Sequence, residues 1–84
     1  MMLIKIFCKE ECPNCPSAKE LGKNLERDGK NVEVLSLDEP SGLADAMFLD
    51  VLSTPSIIVI DNDNKEKIRW SGKAPGLEEI KRFL

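Results

Sequence analysis

An apolar run near the start of the chain leads directly into a pair of closely spaced cysteines. Residues Leu3 to Cys8 are apolar except for Lys5, which is the pattern of a strand covered on both faces. A short polar stretch then reaches the segment Cys12–Cys15. A strand buried on both faces needs other elements packed against each side of its sheet. This start therefore predicts an α/β fold with two cysteines at the carboxyl end of a central strand.

A helix and a second strand are predicted to follow the cysteines. Apolar residues recur at helical spacing from Ala18 to Leu25, and the pattern stops at Gly29, a residue type that can end a helix. Cys12 should therefore precede this helix or lie in its first turn. Val32–Leu37 alternates as a strand does, and the succession of strand, helix and strand predicts a parallel pair joined by a right-handed crossover.

The second half of the chain continues this alternation of helix and strand. Apolar spacing predicts a second helix in which Met47 and Phe48 belong to the core, and the turn before the next strand is set by a Thr-Pro dipeptide. The elements expected there are a helix over Leu43–Val51, a strand over Ser56–Ile60, a hairpin loop over Asp61–Asn64, a strand over Lys67–Trp70, and a closing helix with Leu77, Ile80 and Leu84 on its buried face.

Length and composition indicate one soluble globular domain over residues 1–84. Apolar residues make up 42% of the chain and charged residues 32%, a balance that excludes a disordered or fibrous chain. The net charge of -3 comes from interspersed acidic and basic residues without a basic run, so nucleic acid is not expected as a partner. No apolar stretch resembles a secretory signal or a membrane span. We therefore expect a cytoplasmic protein without membrane contact, and a monomer.

The three cysteines favour redox chemistry over a scaffold of structural disulfides. Three thiols cannot all pair within one chain, and Cys12 and Cys15 are close enough in sequence to form and break a small disulfide ring. Backbone N–H groups and the positive end of the helix would stabilise a thiolate at Cys12, the expected nucleophile, while Cys15 would resolve the mixed disulfide. Pro13 and Asn14 complete the motif, with Pro13 expected just inside the helix start.

Charged neighbours of Cys12 are expected to act on its thiolate in opposite directions. Lys9 favours the thiolate, whereas Glu10 and Glu11 disfavour it, so we expect a reductant rather than a strong oxidant. The chain contains no histidine. This excludes a Cys-His hydrolase and leaves thiol exchange as the expected chemistry.

Cys8 leaves other functions open. Cys8, Cys12 and Cys15 together match the C-x3-C-x2-C spacing of cluster-binding radical enzymes, and the alternative function is a three-cysteine module for zinc or an iron–sulfur cluster. A chain of this length cannot build the barrel of those enzymes, and zinc would lack a fourth ligand. We therefore expect Cys8 to be a small buried apolar residue, with no metal and no cofactor. A redox-inert or redox-sensing interaction domain is the third alternative.

The order of these elements and motifs resembles the thioredoxin and glutaredoxin superfamily. The resemblance covers the whole chain and rests on the C-P-N-C segment after the first strand, combined with Thr54-Pro55 before the third strand. It implies a thioredoxin-like fold, in which a mixed four-stranded sheet of order 2-1-3-4, with the last strand antiparallel, packs against three helices. It also implies a cis peptide bond at Thr54-Pro55 beside the cysteines.

The resemblance also implies roles for individual residues. Cys12 corresponds to the nucleophile and Cys15 to the resolving thiol, Thr54 would pair through its backbone with an extended substrate, and Pro55 would shape that groove. Small glutaredoxin-like thioredoxins of archaea and bacteria are the most similar members, and they carry electrons from a reductase to client disulfides. The implied function is a thiol:disulfide oxidoreductase that reduces protein disulfides, with client proteins and a reductase as partners.

Three positions depart from the family pattern. Glu11 stands where thioredoxins usually have a tryptophan, and Ile6 stands where they tend to have a buried acid. Ser71-Gly72-Lys73 follows the last strand, where glutathione-binding glutaredoxins have a Gly-Gly turn and an acidic residue. Efficient glutathione binding is therefore not expected, and proton transfer cannot use an acid at position 6.

Overall fold

A computed structural model describes residues 2–84 and contains four strands and three helices in the predicted order. The seven elements are β1 (Leu3–Cys8), α1 (Cys15–Arg27), β2 (Asn31–Ser36), α2 (Pro40–Phe48), β3 (Ser56–Ile60), β4 (Glu66–Ser71) and α3 (Leu77–Lys81). Every predicted strand and helix overlaps an observed one. In the described part of the chain, no helix is both long enough and apolar enough to cross a membrane.

The four strands form one mixed sheet in the order β2-β1-β3-β4, which confirms the predicted order. β1 and β2 are parallel, and their register pairs Leu3 with Asn31 and Cys8 with Ser36. β3 runs antiparallel to β1, and β4 runs antiparallel to β3. The prediction named only the last strand as antiparallel, and the structure adds that β3 is antiparallel to β1 as well. The two central strands, β1 and β3, are thus hydrogen-bonded along both edges.

The two faces of the sheet carry separate apolar clusters, as the apolar run in β1 predicted. Alternate residues of a strand point to opposite faces. Ile4, Ile6 and Cys8 therefore join the cluster beneath α1 and α3, which also contains the other two cysteines. Phe7 joins the smaller cluster beneath α2, whose other buried members come from α2 and β3. The cysteines lie on the α1 side of the sheet.

Lys5, the one charge in the apolar run, is accommodated by an ion pair on the α2 side. Its Nζ lies 2.6 Å from Oδ2 of Asp45, and the two side chains are 15% and 27% exposed. A partly buried charge needs such a partner because desolvation without one is costly. The pair also connects β1 to α2.

The prediction that Met47 and Phe48 belong to the core is wrong. Their side chains are 70% and 83% exposed. The buried residues of α2 are Gly42 and Ala46, one helical turn apart, and the backbone at Gly42 approaches the carbonyl of Ser36 so closely that a Cβ there would have no room. Because α2 packs through this narrow face of small residues, the larger apolar side chains near its carboxyl end face solvent.

Candidate functional site

The segment Cys12–Cys15 connects the end of β1 to the start of α1. The helix begins at Cys15, with Asn14 in the capping position and Cys12 before it, so the prediction that Cys12 precedes the helix or lies in its first turn is confirmed. Pro13 also lies before the helix, which corrects its expected place just inside the start. Pro16 occupies that place instead, where the missing N–H of proline costs nothing.

Cys12 is more exposed than the other two cysteines, and its sulfur receives several hydrogen bonds. Its exposure is 9%. Burial raises the pKa of the Cys12 thiol, but hydrogen bonds from the Cys15 thiol, the Thr54 hydroxyl and the backbone N–H groups of Asn14 and Cys15 outweigh burial and hold the pKa below its ordinary value. Hydrogen bonds that favour the charged form of a group lower the pKa of an acid. Cys12 is thus the most acidic thiol of the three.

Cys15 lies deeper, with a side chain that is 2% exposed. Burial, together with the hydrogen bonds with Cys12 and Cys8, raises the pKa of the Cys15 thiol to about 12, against a smaller lowering by the backbone N–H of Lys9. Its thiol therefore stays protonated at neutral pH and acts as a donor toward Cys12. The pKa values of the two cysteines of the motif are thus shifted in opposite directions, and their roles as nucleophile and resolving thiol stay a prediction.

Cys8 is the third sulfur at this place and is also 2% exposed, in agreement with its expected burial. Burial raises the pKa of the Cys8 thiol, against a smaller lowering by its hydrogen bond with Cys15. Sequence reasoning treated Cys8 as packing alone and missed this contact between thiols. The signal that could have found it is the C-x3-C-x2-C spacing, because it brings the end of the strand and the start of the helix together.

The Thr54-Pro55 dipeptide lies beside the cysteines and contains the cis peptide bond that the family resemblance implied. Pro55 is fully buried, and its carbonyl accepts a hydrogen bond from the Gly72 N–H at 2.8 Å. Asn14 Nδ2 lies 3.5 Å from the carbonyl of the same Gly72, which connects the motif to the turn after β4. The Thr54 hydroxyl contacts the Cys12 sulfur. The sequence suggested only a backbone role for Thr54, and substrate pairing by that backbone stays a prediction.

Two charged neighbours of Cys12 take part in the site through their backbone N–H groups. Lys9 contributes through its backbone N–H, which donates to Cys15, and the backbone N–H of Glu10 donates to Oδ2 of Asp38 at 2.7 Å. The hydrogen bonds at the Cys12 sulfur account for its lowered pKa. The opposing effect expected from the carboxylates of Glu10 and Glu11 stays a prediction.

The alternative of a three-cysteine metal module depends on how possible ligands are arranged. Across residues 2–84, no group of three or more Cys, His, Asp or Glu side chains is placed to hold a metal ion. The Cys15 thiol instead shares hydrogen bonds with the Cys12 thiol and with the Cys8 thiol. Two neighbouring thiols of this kind are suited to reversible formation of a sulfur–sulfur bond.

Solved structures with the same fold include proteins from malaria parasites and from a bacterium. One described only as a malarial protein is 18% identical, with a TM-score of 0.81 over 98% of this chain and 91% of that chain. Thioredoxin-2, described as a component of the malaria parasite protein secretion machinery, is 24% identical, with a TM-score of 0.73 over 98% and 82%. A thioredoxin from Thermus thermophilus is 24% identical, with a TM-score of 0.70 over 96% and 69%. These likenesses establish the fold.

Sequence comparison identifies the family. No curated protein matches the chain significantly in sequence. The sequence profile of the thioredoxin domain matches residues 2–84, which is nearly the entire chain and includes both cysteines of the motif and the Thr54-Pro55 dipeptide. The chain therefore belongs to the thioredoxin domain family.

Proposed function

We propose that this protein is a thiol:disulfide oxidoreductase that reduces disulfides of client proteins through Cys12 and Cys15. The observation that carries the proposal is the contrast between two thiols in contact, one near the surface with a lowered pKa and the other buried with a raised pKa. A nucleophilic thiol needs thiolate character and access, whereas a resolving thiol has to stay in reserve until a mixed disulfide forms. Cys12 meets the first requirement, and Cys15, whose sulfur lies next to it, meets the second.

The reaction begins with attack of the Cys12 thiolate on one sulfur of a client disulfide. A bond forms between Cys12 and that sulfur, the client disulfide breaks, and the electron pair leaves on the second client sulfur, which takes a proton. Cys15 then loses its proton to solvent or to a client thiolate and attacks the Cys12 sulfur. The Cys12–Cys15 bond forms, the mixed disulfide breaks, and the client is released with both thiols reduced. The chain has no histidine to carry these protons.

Apolar surface near the cysteines supports binding of an extended client segment. Leu52 is 95% exposed and lies two residues before Thr54, whose hydroxyl contacts Cys12. An extended peptide that pairs with the backbone at Thr54 would place its disulfide over Cys12 and its apolar side chains on Leu52. Pro55 forms the buried wall behind that segment.

The oxidised protein must be reduced again for turnover, and we assign this step to a reductase that supplies electrons to the Cys12–Cys15 disulfide. Dithiol reductases work where cellular thiols are kept reduced, so the proposal includes a cytoplasmic location. It also includes action as a monomer, because one chain contains both reacting sulfurs.

The test is reduction of insulin disulfides, followed by the turbidity of the released chains. We expect the protein with dithiothreitol to accelerate precipitation over dithiothreitol alone, and the double variant Cys12→Ser/Cys15→Ser to show only the background rate. Replacing dithiothreitol with NADPH and either a thioredoxin reductase or glutathione with its reductase then identifies the class of electron donor. A wild-type rate equal to that of the double variant would refute the proposed function.

A further inference from the structure

The three sulfurs at the end of β1 form a row with Cys15 in the middle. The Cys15 thiol is hydrogen-bonded to Cys12 on one side and to Cys8 on the other. All three side chains belong to one buried cluster, and Cys8 and Cys15 are both 2% exposed. Disulfide exchange requires a thiolate, a disulfide and direct access of one sulfur to another. The row provides two sulfurs, Cys12 and Cys8, that can each reach Cys15.

We propose that Cys8 is a third redox sulfur, which exchanges with the oxidised motif to form a Cys8–Cys15 disulfide and release Cys12 as a free thiolate. The proposal goes beyond the reduction of clients and rests on the proposed function only in needing the Cys12–Cys15 disulfide as its starting state. Cys8 is too buried to meet an external disulfide, but an exchange within the chain does not require exposure.

The exchange needs no added oxidant or reductant. The Cys8 thiol gives its proton to water and its sulfur attacks Cys15 Sγ, so that the Cys8–Cys15 bond forms as the Cys12–Cys15 bond breaks. The electron pair of the broken bond leaves on Cys12. One disulfide and one free sulfur are present before and after the step.

The surroundings of the two outer sulfurs favour this direction of exchange. Thiols of lower pKa leave faster in disulfide exchange. The departing Cys12 sulfur is met by the Thr54 hydroxyl and the Asn14 N–H, both of which stabilise its negative charge. Cys8 lines a cleft of about 620 Å³ between α1, the end of β2 and the start of α2, and Lys19 lines the same cleft. Burial raises the pKa of the Cys8 thiol, and the positive charge of Lys19 opposes that effect in part. Water in this cleft can take the proton.

The exchanged form would differ in function from the ordinary oxidised form. Cys12 would again be a nucleophile, while its resolving partner would be held in the bond with Cys8. A mixed disulfide made at Cys12 in this state would persist until the Cys8–Cys15 bond is reduced. The third sulfur would therefore convert a transient client complex into a lasting one.

The test traps Cys12 in the oxidised protein with a maleimide. Oxidised wild type and oxidised Cys8→Ala are incubated in the folded state with N-ethylmaleimide, then denatured with the reagent present and digested with trypsin. Cleavage after Lys9 separates Cys8 from the other two cysteines, so a Cys8–Cys15 disulfide joins two peptides, whereas a Cys12–Cys15 disulfide lies within one. We expect the wild type to gain a label at Cys12 with time and to yield the joined peptides, and the oxidised Cys8→Ala variant to gain no label.

Each other outcome decides against the exchange. Wild type that is labelled only after denaturation, and only at Cys8, would show that Cys12 is never released. Equal labelling of Cys12 in wild type and Cys8→Ala would show that the Cys12–Cys15 bond opens without Cys8. A failure of the proposed function would give a different result from a failure of the exchange. In that case, oxidation of the Cys8→Ala variant would leave its number of free thiols unchanged. The wild-type peptide map decides alone if Cys8→Ala does not fold.

Discussion

Cys12 and Cys15 lie three positions apart on either side of the start of α1 and differ in almost every property that controls thiol chemistry. Cys12 is near the surface, and donors from Thr54, Asn14 and Cys15 lower its pKa. Cys15 packs beneath it, where burial raises the pKa of its thiol to about 12. The difference arises from depth and from the number of donors that face each sulfur. The same side chain thus acquires two different acidities in two environments that lie only three residues apart.

The largest expected effect comes from removing one sulfur at a time. Cys12→Ser should abolish insulin reduction, because no thiolate remains to attack, whereas Cys15→Ser should accumulate mixed disulfides at Cys12 that nothing resolves. Non-reducing gels and mass spectrometry after incubation with a client measure both results. If Cys15→Ser lost all reactivity while Cys12→Ser formed mixed disulfides, the two roles would have to be reversed.

A pH titration of the reduced protein compares the two environments directly. As pH rises, Cys12 should ionise first, because its pKa lies below the ordinary thiol value, while Cys8 and Cys15 remain protonated, because their pKa values are raised. One thiolate per chain should therefore appear before the pH reaches the range of an ordinary thiol, as measured by thiolate absorbance in the ultraviolet.

The variant Cys12→Ser is the matched control for that titration, since it should lack the first step and keep the other two thiols protonated in the same range. Three thiolates that appear together near the ordinary thiol pKa would contradict the contrast between Cys12 and Cys15.

Removing a single hydrogen-bond donor to Cys12 should reduce the pKa difference between Cys12 and Cys15 by a smaller amount. Thr54→Val keeps the shape of the side chain but deletes the hydroxyl that contacts Cys12, so the pKa of Cys12 should rise by roughly one unit, the equivalent of one hydrogen bond to a charged group. Thr54→Ser retains a hydroxyl and is the control. The pH dependence of the Cys12 alkylation rate measures this shift in pKa. Equal Cys12 pKa values in Thr54→Val and wild type would show that the Thr54 hydroxyl does not stabilise the Cys12 thiolate.

The smallest expected effect comes from the flanking carboxylates. Glu10 and Glu11 are exposed, so solvent and salt screen their charges. The double variant Glu10→Gln/Glu11→Gln should lower the pKa of Cys12 by about half a unit at low salt. Alkylation rates at several pH values, repeated at high salt where the difference should shrink, test this expectation. A pKa that does not change would leave the hydrogen-bond donors as the sole control of Cys12.

The secondary structure of this chain could be predicted well because its signals are local. The apolar run of β1 and the helical spacing from Ala18 to Leu25 each reflect one element that buries a face, and Gly29 ends α1 with a positive φ of 80°, as a glycine can. The prediction for α2 was wrong at Met47 and Phe48 because apolar character alone does not reveal which face packs. That choice depends on the close approach of Gly42 to Ser36, a contact between distant parts of the chain.

The residues of the candidate site could likewise be predicted from the sequence, but the contacts between their side chains could not. The C-P-N-C segment and the Thr54-Pro55 dipeptide can be read from residue types and spacing. The donation from the Thr54 hydroxyl to Cys12, and the place of Cys15 between two other sulfurs, require the positions of side chains from β1, α1 and the turn before β3. Spacing along the chain indicates that the three cysteines are near one another, but it does not give which side chains form hydrogen bonds.

By itself, the sequence determined the order of the elements, the strand buried on both faces and the position of Cys12 next to the start of a helix, because each follows from periodicity and local backbone preference. Only the tertiary structure decided which donors lower the pKa of Cys12, how deeply Cys15 is buried and that Cys8 touches Cys15. Those properties depend on burial and on hydrogen bonds across the sheet, and they exist only after distant segments have packed together.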